Sequence, residues 1–300
     1  MKIPRSTIIF AVLSLILAAS TSFVTWHWWY AEDAAIVPVS DDSIQLGLPG
    51  VGGATDDRRF TARSALLYDT ETDSIVFQQN GFEPRPIASL TKLMTAMVAL
   101  DHGITWEQEA DIALNEYGVG GQLLLHPGEK VTMRDLMAAS LVSSANNATR
   151  AYVRALGIPE EVFVQEMNRK AIALGLEQTR FVDVTGLDSD NVSTAYEVAI
   201  LAKTAFTQYP IIAELTSRPD YTFTVLGSGR EHTMRNSNKI ISEWGDPLTG
   251  SKTGYIYEAG YCLVARGAGE AAHEISVILG SPSESEHFAD TKRILNLPQV

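Results

Sequence analysis

The run Pro86-Ile87-Ala88-Ser89-Leu90-Thr91-Lys92-Leu93-Met94-Thr95-Ala96-Met97-Val98-Ala99-Leu100 constrains this chain more than any other stretch. Its spacing predicts a helix, with Leu90, Leu93, Met94, Met97 and Val98 on one apolar stripe. Pro86 marks its start and Gly103 its stop. Ser89 and Lys92, three apart at the first turn, then share a face. That sets an amine beside a hydroxyl at the positive end of a helix held in a core. A hydroxyl so placed can give its proton to a neutral Lys and attack a carbonyl. A bare Ser-x-x-Lys arises by chance about once in a chain this long. Its bland reading is a helix start with a capping Ser and a solvated Lys. The rest of the chain decides between the two.

With 300 residues, 45% of them hydrophobic, the chain can bury a large core in one domain or two. A net charge of −13 with no Lys/Arg run argues against nucleic acid as a partner. The single cysteine, Cys262, rules out an intrachain disulfide and a cysteine-based zinc site. The histidines His27, His102, His126, His232, His273 and His287 show no ligand pair such as His-x-x-x-His. No metal or other cofactor is expected.

Residues 1–30 stand apart. Lys2 and Arg5 precede an uncharged run from Ile8 to Val24. Extended to Tyr30, it spans about 34 Å as a helix, enough to cross a bilayer. Trp26, Trp28, Trp29 and Tyr30 resemble an interfacial aromatic belt, and the basic N-terminus predicts a cytoplasmic start with the body outside. The rival is a cleaved signal peptide, with Ala18-Ala19-Ser20 as its small-residue site. We favour a retained anchor in the cytoplasmic membrane, because cleavage leaves the aromatic cluster unexplained. Residues 31–57, with Pro38, Pro49-Gly50, Gly52-Gly53 and two Asp pairs, hold no period and read as a flexible linker. The folded domain is expected over 58–300, as a monomer tethered to the membrane.

Within that domain, Arg63 to Gln79 reads as a hairpin, with apolar Ala65–Tyr68 and Ile75–Phe77 flanking a polar turn. Thr132-Met133-Arg134-Asp135 is a capping box with Asp in place of Glu, opening a helix to about Val142. Further helices are expected from Ser144 to Gly157, from Pro159 to Gly175, and from the capping box Thr194–Glu197 to Phe206. Residues 130–217 are thus mostly helical. Tyr221–Val225 and His232–Met234 then alternate around Gly227-Ser228-Gly229. Lys252-Thr253-Gly254, Tyr261–Ala265 and Ile275–Leu279 read as three more strands, and Pro282–Leu297 as a closing helix. A hairpin, a helical middle and C-terminal strands make an α+β pattern, in which the first hairpin must pair with the later strands.

Two more motifs stand where the Ser89 helix needs help. Ser144-Ala145-Asn146 lies at a helix start, where Ser-x-Asn is most simply a cap. Lys252-Thr253-Gly254 lies on a strand, and that tripeptide is expected only about 0.06 times per chain of this length. The trio, in this order and these settings, is the signature of class A β-lactamases and penicillin-binding proteins. Over about residues 60–297 the chain resembles the low-molecular-mass penicillin-binding proteins, the serine-type D-alanyl-D-alanine carboxypeptidases. Ile87–Thr95, Ser193-Thr194-Ala195-Tyr196, Lys252–Tyr255 and Ala259–Val264 add to the likeness.

The resemblance implies a β-lactamase/transpeptidase-like fold: a five-stranded antiparallel sheet flanked by helices, plus a helical subdomain carrying the Ser144 motif. It implies Ser89 as nucleophile, Lys92 as its base, Ser144 as proton relay to the leaving amine, and Asn146 holding Lys92 and the substrate's backbone amide. Lys252 and Thr253 would bind the terminal carboxylate of a D-Ala-D-Ala stem. Gly254 would let the substrate strand lie close to the sheet edge. The backbone N–H groups of Ser89 and Tyr255 would form the oxyanion hole. Peptidoglycan peptides would be the substrate and β-lactams the inhibitors.

Three departures qualify the likeness. Asn236-Ser237-Asn238 stands where relatives often carry Arg between two Asn, leaving Arg235 as a substitute for the carboxylate-binding Arg. Asn147 stands where Asp is frequent. The chain is expected to lack a C-terminal β-domain and amphipathic tail, as do relatives that cut D-Ala cross-links. A D,D-endopeptidase using the same residues is therefore the alternative function. A β-lactamase is disfavoured, because no Glu between Ser144 and Lys252 has Asn four residues on. A non-catalytic penicillin-binding sensor is disfavoured by the intact trio.

Overall fold

The computed structural model describes residues 59–244 and 248–296. The expected anchor at 1–30 and linker at 31–57 lie outside the described residues. Among the described residues, no helix is long and apolar enough to cross a membrane.

Five antiparallel strands form the central sheet: β1 (Ser64–Asp69), β2 (Ser74–Gln79), β3 (Leu248–Ile256), β4 (Gly260–Gly267) and β5 (Glu274–Ser281), in the order β2-β1-β5-β4-β3. The N-terminal hairpin joins the C-terminal strands through β1 against β5, with Leu66 opposite Val277. Every residue of Ala65-Leu66-Leu67-Tyr68 is buried. Successive side chains of a strand point to opposite faces, so a strand apolar at both parities has to be covered on both. Leu66 and Tyr68 enter the larger core, while Ala65 and Leu67 enter a smaller one with Leu263, Ile278, Phe288 and Ile294. Each fully buried Leu or Ile there contributes about 1.5–3 kcal/mol. β3 is left at the edge, so Lys252-Thr253-Gly254 lies on a strand with one side open for pairing.

The helices are α1 (Thr91–Asp101), α2 (Met133–Val142), α3 (Asn146–Ala155), α4 (Glu160–Ala173), α5 (Ala195–Gln208), α6 (Pro210–Ser217), α7 (Lys239–Trp244) and α8 (Glu284–Ile294). α8 covers the smaller core and α5 the opposite face of the sheet. α1 is not a one-sided helix as its stripe implied. Thr91 to Ala99 are all buried, because α2, α4 and α5 pack around it. Its polar side chains therefore need internal partners. Thr95 Oγ1 donates to the Val184 carbonyl at 2.7 Å, and Thr91 Oγ1 accepts from Asn191 Nδ2 at 3.1 Å.

The Thr132–Asp135 box is reciprocal: Thr132 Oγ1 accepts from Asp135 N–H and Asp135 Oδ2 accepts from Thr132 N–H. The Thr194 box is only half formed. Thr194 Oγ1 accepts from Glu197 N–H, but the Glu197 carboxylate turns away to accept from Gln178 N–H at 2.9 Å, which ties down the loop after α4. The alternating Tyr221 segment forms its own ribbon, Asp220–Thr224 against Glu231–Arg235, outside the main sheet. Tyr221 hydroxyl donates to Asp135 Oδ1 at 3.0 Å, fastening the ribbon to α2. Between α4 and α5 the chain is largely irregular, and this loop builds one wall of the site.

Candidate active site

Ser89 sits on a single 3-10 turn, Ala88–Leu90, that feeds directly into α1. The turn is strained and tightly held. Ala88 has φ +48°, a left-handed value that a residue with a Cβ rarely adopts. Two glycines close on it from opposite directions. At Gly186, with φ +84°, an added Cβ would lie 1.9 Å from the Ala88 carbonyl oxygen. At Gly254 on β3, an added Cβ would lie 2.8 Å from Ser89 N. Only bare backbone fits at either point, so these glycines set how deeply the Ser89 peptide seats between the loop and the sheet edge.

Lys92 is fully buried one turn on. Its Nζ lies 2.7 Å from Ser89 Oγ, 2.6 Å from Asn146 Oδ1 and 2.7 Å from the Thr185 carbonyl oxygen. Burial drives its proton affinity well below that of an ordinary Lys, and the Lys252 charge pushes it further down. Asn146, the first residue of α3, presents its other amide end to the cleft loop: Nδ2 donates to the Val119 carbonyl at 3.0 Å.

Ser144 does not cap α3. The cap position is Ala145, and Ser144 stands before it with φ +61°. Its Oγ accepts from Lys252 Nζ at 2.8 Å. Lys252 is 1% exposed and lies behind Ser144 and Thr253, with its second donor on the Thr253 carbonyl at 3.0 Å. Burial lowers its pKa to about 7. Thr253, Gly254 and Tyr255 line the cleft directly. They share its volume of about 290 Å³ with Ser89, Ser144, Asn146 and Ser237, whereas Lys92 and Lys252 lie beneath the surface. All eight residues singled out from the sequence thus converge on one cleft. Among the described residues lining it, Glu284 is the one carboxylate, and it is paired with Lys239 at 2.7 Å.

Several groups that shape the site carry no side-chain signature. Thr185 supplies a carbonyl and Gly186 a close approach, both set by Asp183, whose Oδ1 accepts from Thr185 N–H and Gly186 N–H, each at 2.6 Å. Asn191 ties the same loop to the nucleophile turn, its carbonyl accepting from Ile87 N–H at 3.0 Å. Asp183-x-Thr185-Gly186 is a turn pattern, and it was the one visible signal for this wall.

A family model described as D-alanyl-D-alanine carboxypeptidase matches residues 52–283. The chain belongs to the D-alanyl-D-alanine carboxypeptidase family. A D-alanyl-D-alanine endopeptidase of Pseudomonas aeruginosa is 34% identical, over 84% of this chain and 82% of that protein. The D-alanyl-D-alanine carboxypeptidase DacF of Bacillus subtilis is 32% identical, over 82% of this chain and 64% of its own length. Among solved structures, cefotaxime-bound penicillin-binding protein D2 of Listeria monocytogenes superposes with a TM-score of 0.70 at 29% identity, covering 80% of this chain and 98% of that one.

Within this D-alanyl-D-alanine carboxypeptidase family member, two of the departures acquire a structural account. Arg235 is exposed at the end of the ribbon and does not line the cleft, so it does not stand in for an Arg there. Ser237 does line it, with its Oγ 2.6 Å from Thr253 Oγ1. Asn147 is buried and bonds both backbone groups of Leu123: Oδ1 accepts from the N–H at 2.8 Å and Nδ2 donates to the carbonyl at 2.9 Å. An ionised Asp has no proton for the second bond.

Proposed function

We propose that this protein is a serine D,D-carboxypeptidase that removes terminal D-Ala from peptidoglycan stem peptides through an acyl-enzyme on Ser89. The observation that carries the reading is the Ser89 hydroxyl 2.7 Å from Lys92, whose burial lowers its proton affinity well below that of an ordinary Lys. Ser89 Oγ attacks the scissile carbonyl while its proton passes to Lys92 Nζ. The developing oxyanion faces the backbone N–H groups of Ser89 and Tyr255. Collapse breaks the C–N bond, and the leaving amine takes a proton through Ser144, which Lys252 holds at 2.8 Å. Thr253 and Ser237 hydroxyls receive the terminal carboxylate, whose charge in turn favours the protonated form of Lys252. Water then cleaves the ester. Among the described residues lining the cleft the one carboxylate, Glu284, is engaged by Lys239 rather than free to drive water onto a penicilloyl ester, and a long-lived β-lactam adduct is the expected outcome.

A second reading uses the same groups on cross-linked peptides. It is favoured by the Pseudomonas relative, an endopeptidase matched over most of its length. Labelled penicillin should mark the wild type and leave Ser89→Ala unmarked. Release of D-Ala from monomeric pentapeptides, compared with cleavage of cross-linked dimers, separates the two readings. Penicillin labelling without turnover of either peptide would overturn both.

We further propose that residues 1–30 hold the protein, as a monomer, on the outer side of the cytoplasmic membrane. The support is the uncharged run from Ile8 with its aromatic cluster behind Lys2 and Arg5. Sedimentation of the full chain with membranes, lost on removing residues 1–30, is the expected result.

A further inference from the structure

One turn along α3 from Asn146 lies a second cavity of about 390 Å³, lined in part by Glu116, Arg150, Val153, Arg154, Ile158 and Glu160. It shares no residue with the catalytic cleft. Its charged side chains fall into two kinds. Arg154 and Glu116 satisfy each other, with Arg154 Nε 2.7 Å from Glu116 Oε1, and Arg154 also reaches Asp111 Oδ1 at 3.0 Å. Arg150 and Glu160 make no ion pair with each other or with any other described residue. Arg150 Nε is closed off from solvent and has no hydrogen-bond partner among the described residues. Glu160, from α4, is half-buried, and burial holds its carboxyl above the ordinary Glu range against the pull of the Arg150 charge. Taking a charge out of water without a partner is costly, so a cation and an anion that stand apart in one cavity call for something between them.

We propose that this cavity binds a free amino acid, with the ligand's carboxylate on Arg150 and its ammonium on Glu160. A guanidinium presents forked donors that match a carboxylate, and a carboxylate accepts from an ammonium. An α-amino acid carries both groups on one carbon, so one small molecule bridges two opposite charges that do not touch. A plain anion would leave Glu160 without a partner, and a plain amine would leave Arg150 without one. Val153 and Ile158 give a short side chain an apolar wall. The binding stands by itself, whereas its consequence for catalysis rests on the peptidase reading. Arg150 follows Asn146 by one turn on the same face of α3, and Asn146 holds Lys92. Of the charged groups that act on Lys92, Lys252 on β3 and Arg150 on α3 lower its proton affinity, and Asp183 in the facing loop raises it. Glu160 is acted on by Arg150, Asp183, Glu161 and Glu116. A carboxylate seated on Arg150 offsets one of the two cations, so Lys92 keeps its proton to higher pH and acylation slows near neutrality. Released D-alanine would thus restrain the enzyme that releases it.

The test is a ligand-observed NMR titration of the full chain with D-alanine, L-alanine, propionate and alaninamide. Alanine is expected to bind saturably, and propionate and alaninamide, which each lack one charge, about tenfold or more weakly. Arg150→Gln should weaken alanine and propionate and spare alaninamide. Glu160→Gln should weaken alanine and alaninamide and spare propionate. Each substitution removes a charge that has no partner, so both proteins are expected to fold, which circular dichroism melts check; the four-ligand comparison on wild type needs no variant. No saturable binding of either alanine, or binding that ignores both substitutions, would overturn the site. Alanine bound no better than propionate, with the loss confined to Arg150→Gln, would leave a plain anion site and overturn the amino-acid assignment. In the pH profile of penicillin acylation, D-alanine should move the rising limb of wild type to higher pH and leave that of Arg150→Gln in place. An equal shift in both would put the alanine in the catalytic cleft, against the proposal. A wild type that penicillin fails to label would sink the peptidase reading while the binding results stand, so the two failures are distinguishable.

Discussion

Among the described residues, the Ser89 hydroxyl is the one hydrogen-bond partner of Lys92 Nζ that has a proton to give. The other two, Asn146 Oδ1 and the Thr185 carbonyl, only accept, at 2.6 and 2.7 Å. A neutral amine has two N–H bonds and one lone pair. The two carbonyl oxygens take the two hydrogens, and the lone pair is left facing the Ser89 hydroxyl at 2.7 Å. The geometry is therefore compatible with the neutral amine that a base requires, and burial with a neighbouring cation favours that state.

Acylation by penicillin should rise with pH as Lys92 loses its proton, and level off well below the range of an ordinary Lys. Lys252→Gln removes the like charge that depresses Lys92, so Lys92 stays protonated to higher pH. The rising limb of the rate profile is then expected to move to higher pH, whatever happens to the plateau. A limb that stays in place or moves down would show that Lys92 does not titrate under the influence of Lys252.

Stability carries the same signature with its own sign. Lys252 is pushed down to about 7 in the folded chain, against about 10.4 for an unperturbed Lys. Between those values the unfolded chain binds more protons, so stability rises with pH. Denaturant midpoints should climb from pH 7 to 9 in wild type and climb less in Lys252→Gln. Equal slopes would mean that burial does not hold Lys252 near neutrality.

Much of this was legible in the chain itself. The hairpin at 64–79, the C-terminal strands and the Ser-x-x-Lys turn come from local periodicity and spacing, and the motif trio joined segments that no local signal connects. What stayed hidden has physical causes. Thr185 and Val119 act through backbone carbonyls, which every residue has. Gly186 acts through an absent Cβ. The burial of α1 on all sides follows from tertiary packing that its stripe did not require. Alternation at Tyr221–Thr224 marks a strand but not the sheet it joins. The Glu197 carboxylate had a choice between its own helix start and Gln178, and only the folded loop decides it.

Gly186 offers a direct check on the nucleophile turn. In Gly186→Ala the new methyl would overlap the Ala88 carbonyl at 1.9 Å, on a backbone with φ +84°. The Ser89 turn or the loop must shift. We expect a stability loss of about 2–4 kcal/mol and penicillin acylation slowed about 100-fold. Gly254→Ala presses on Ser89 N from the strand side and should slow acylation with a smaller loss of stability. A Gly186→Ala protein acylated at the wild-type rate would show that the turn's position is not set there.

Asn147→Asp should cost about 1–3 kcal/mol at neutral pH. It replaces the donor to the Leu123 carbonyl with a second acceptor in a fully buried place. Burial raises the carboxyl's proton affinity in the folded state, so the folded chain binds more protons above the ordinary Asp range. The variant's deficit relative to wild type is then smallest near pH 4 and grows as pH rises. Urea midpoints of both proteins across pH 4–8 measure it. A deficit independent of pH would remove the donor as its cause.

The end of the cleft proposed to take the terminal carboxylate separates two neighbours in the chain. Ser237 Oγ lies 2.6 Å from Thr253 Oγ1 on the cleft wall, whereas Arg235 is exposed on the ribbon away from it. Losing one neutral hydrogen bond costs about 0.5–1.5 kcal/mol, which corresponds to roughly a three- to tenfold change. Ser237→Ala is accordingly expected to raise KM for a D-Ala-D-Ala peptide by that factor, with a smaller effect on kcat. Arg235→Ala should leave both within about twofold, since exposed charges away from a site contribute little at ordinary ionic strength. The reverse pattern, a large KM effect from Arg235→Ala and none from Ser237→Ala, would require the ribbon to swing over the cleft when substrate binds and would place the carboxylate contact on Arg235.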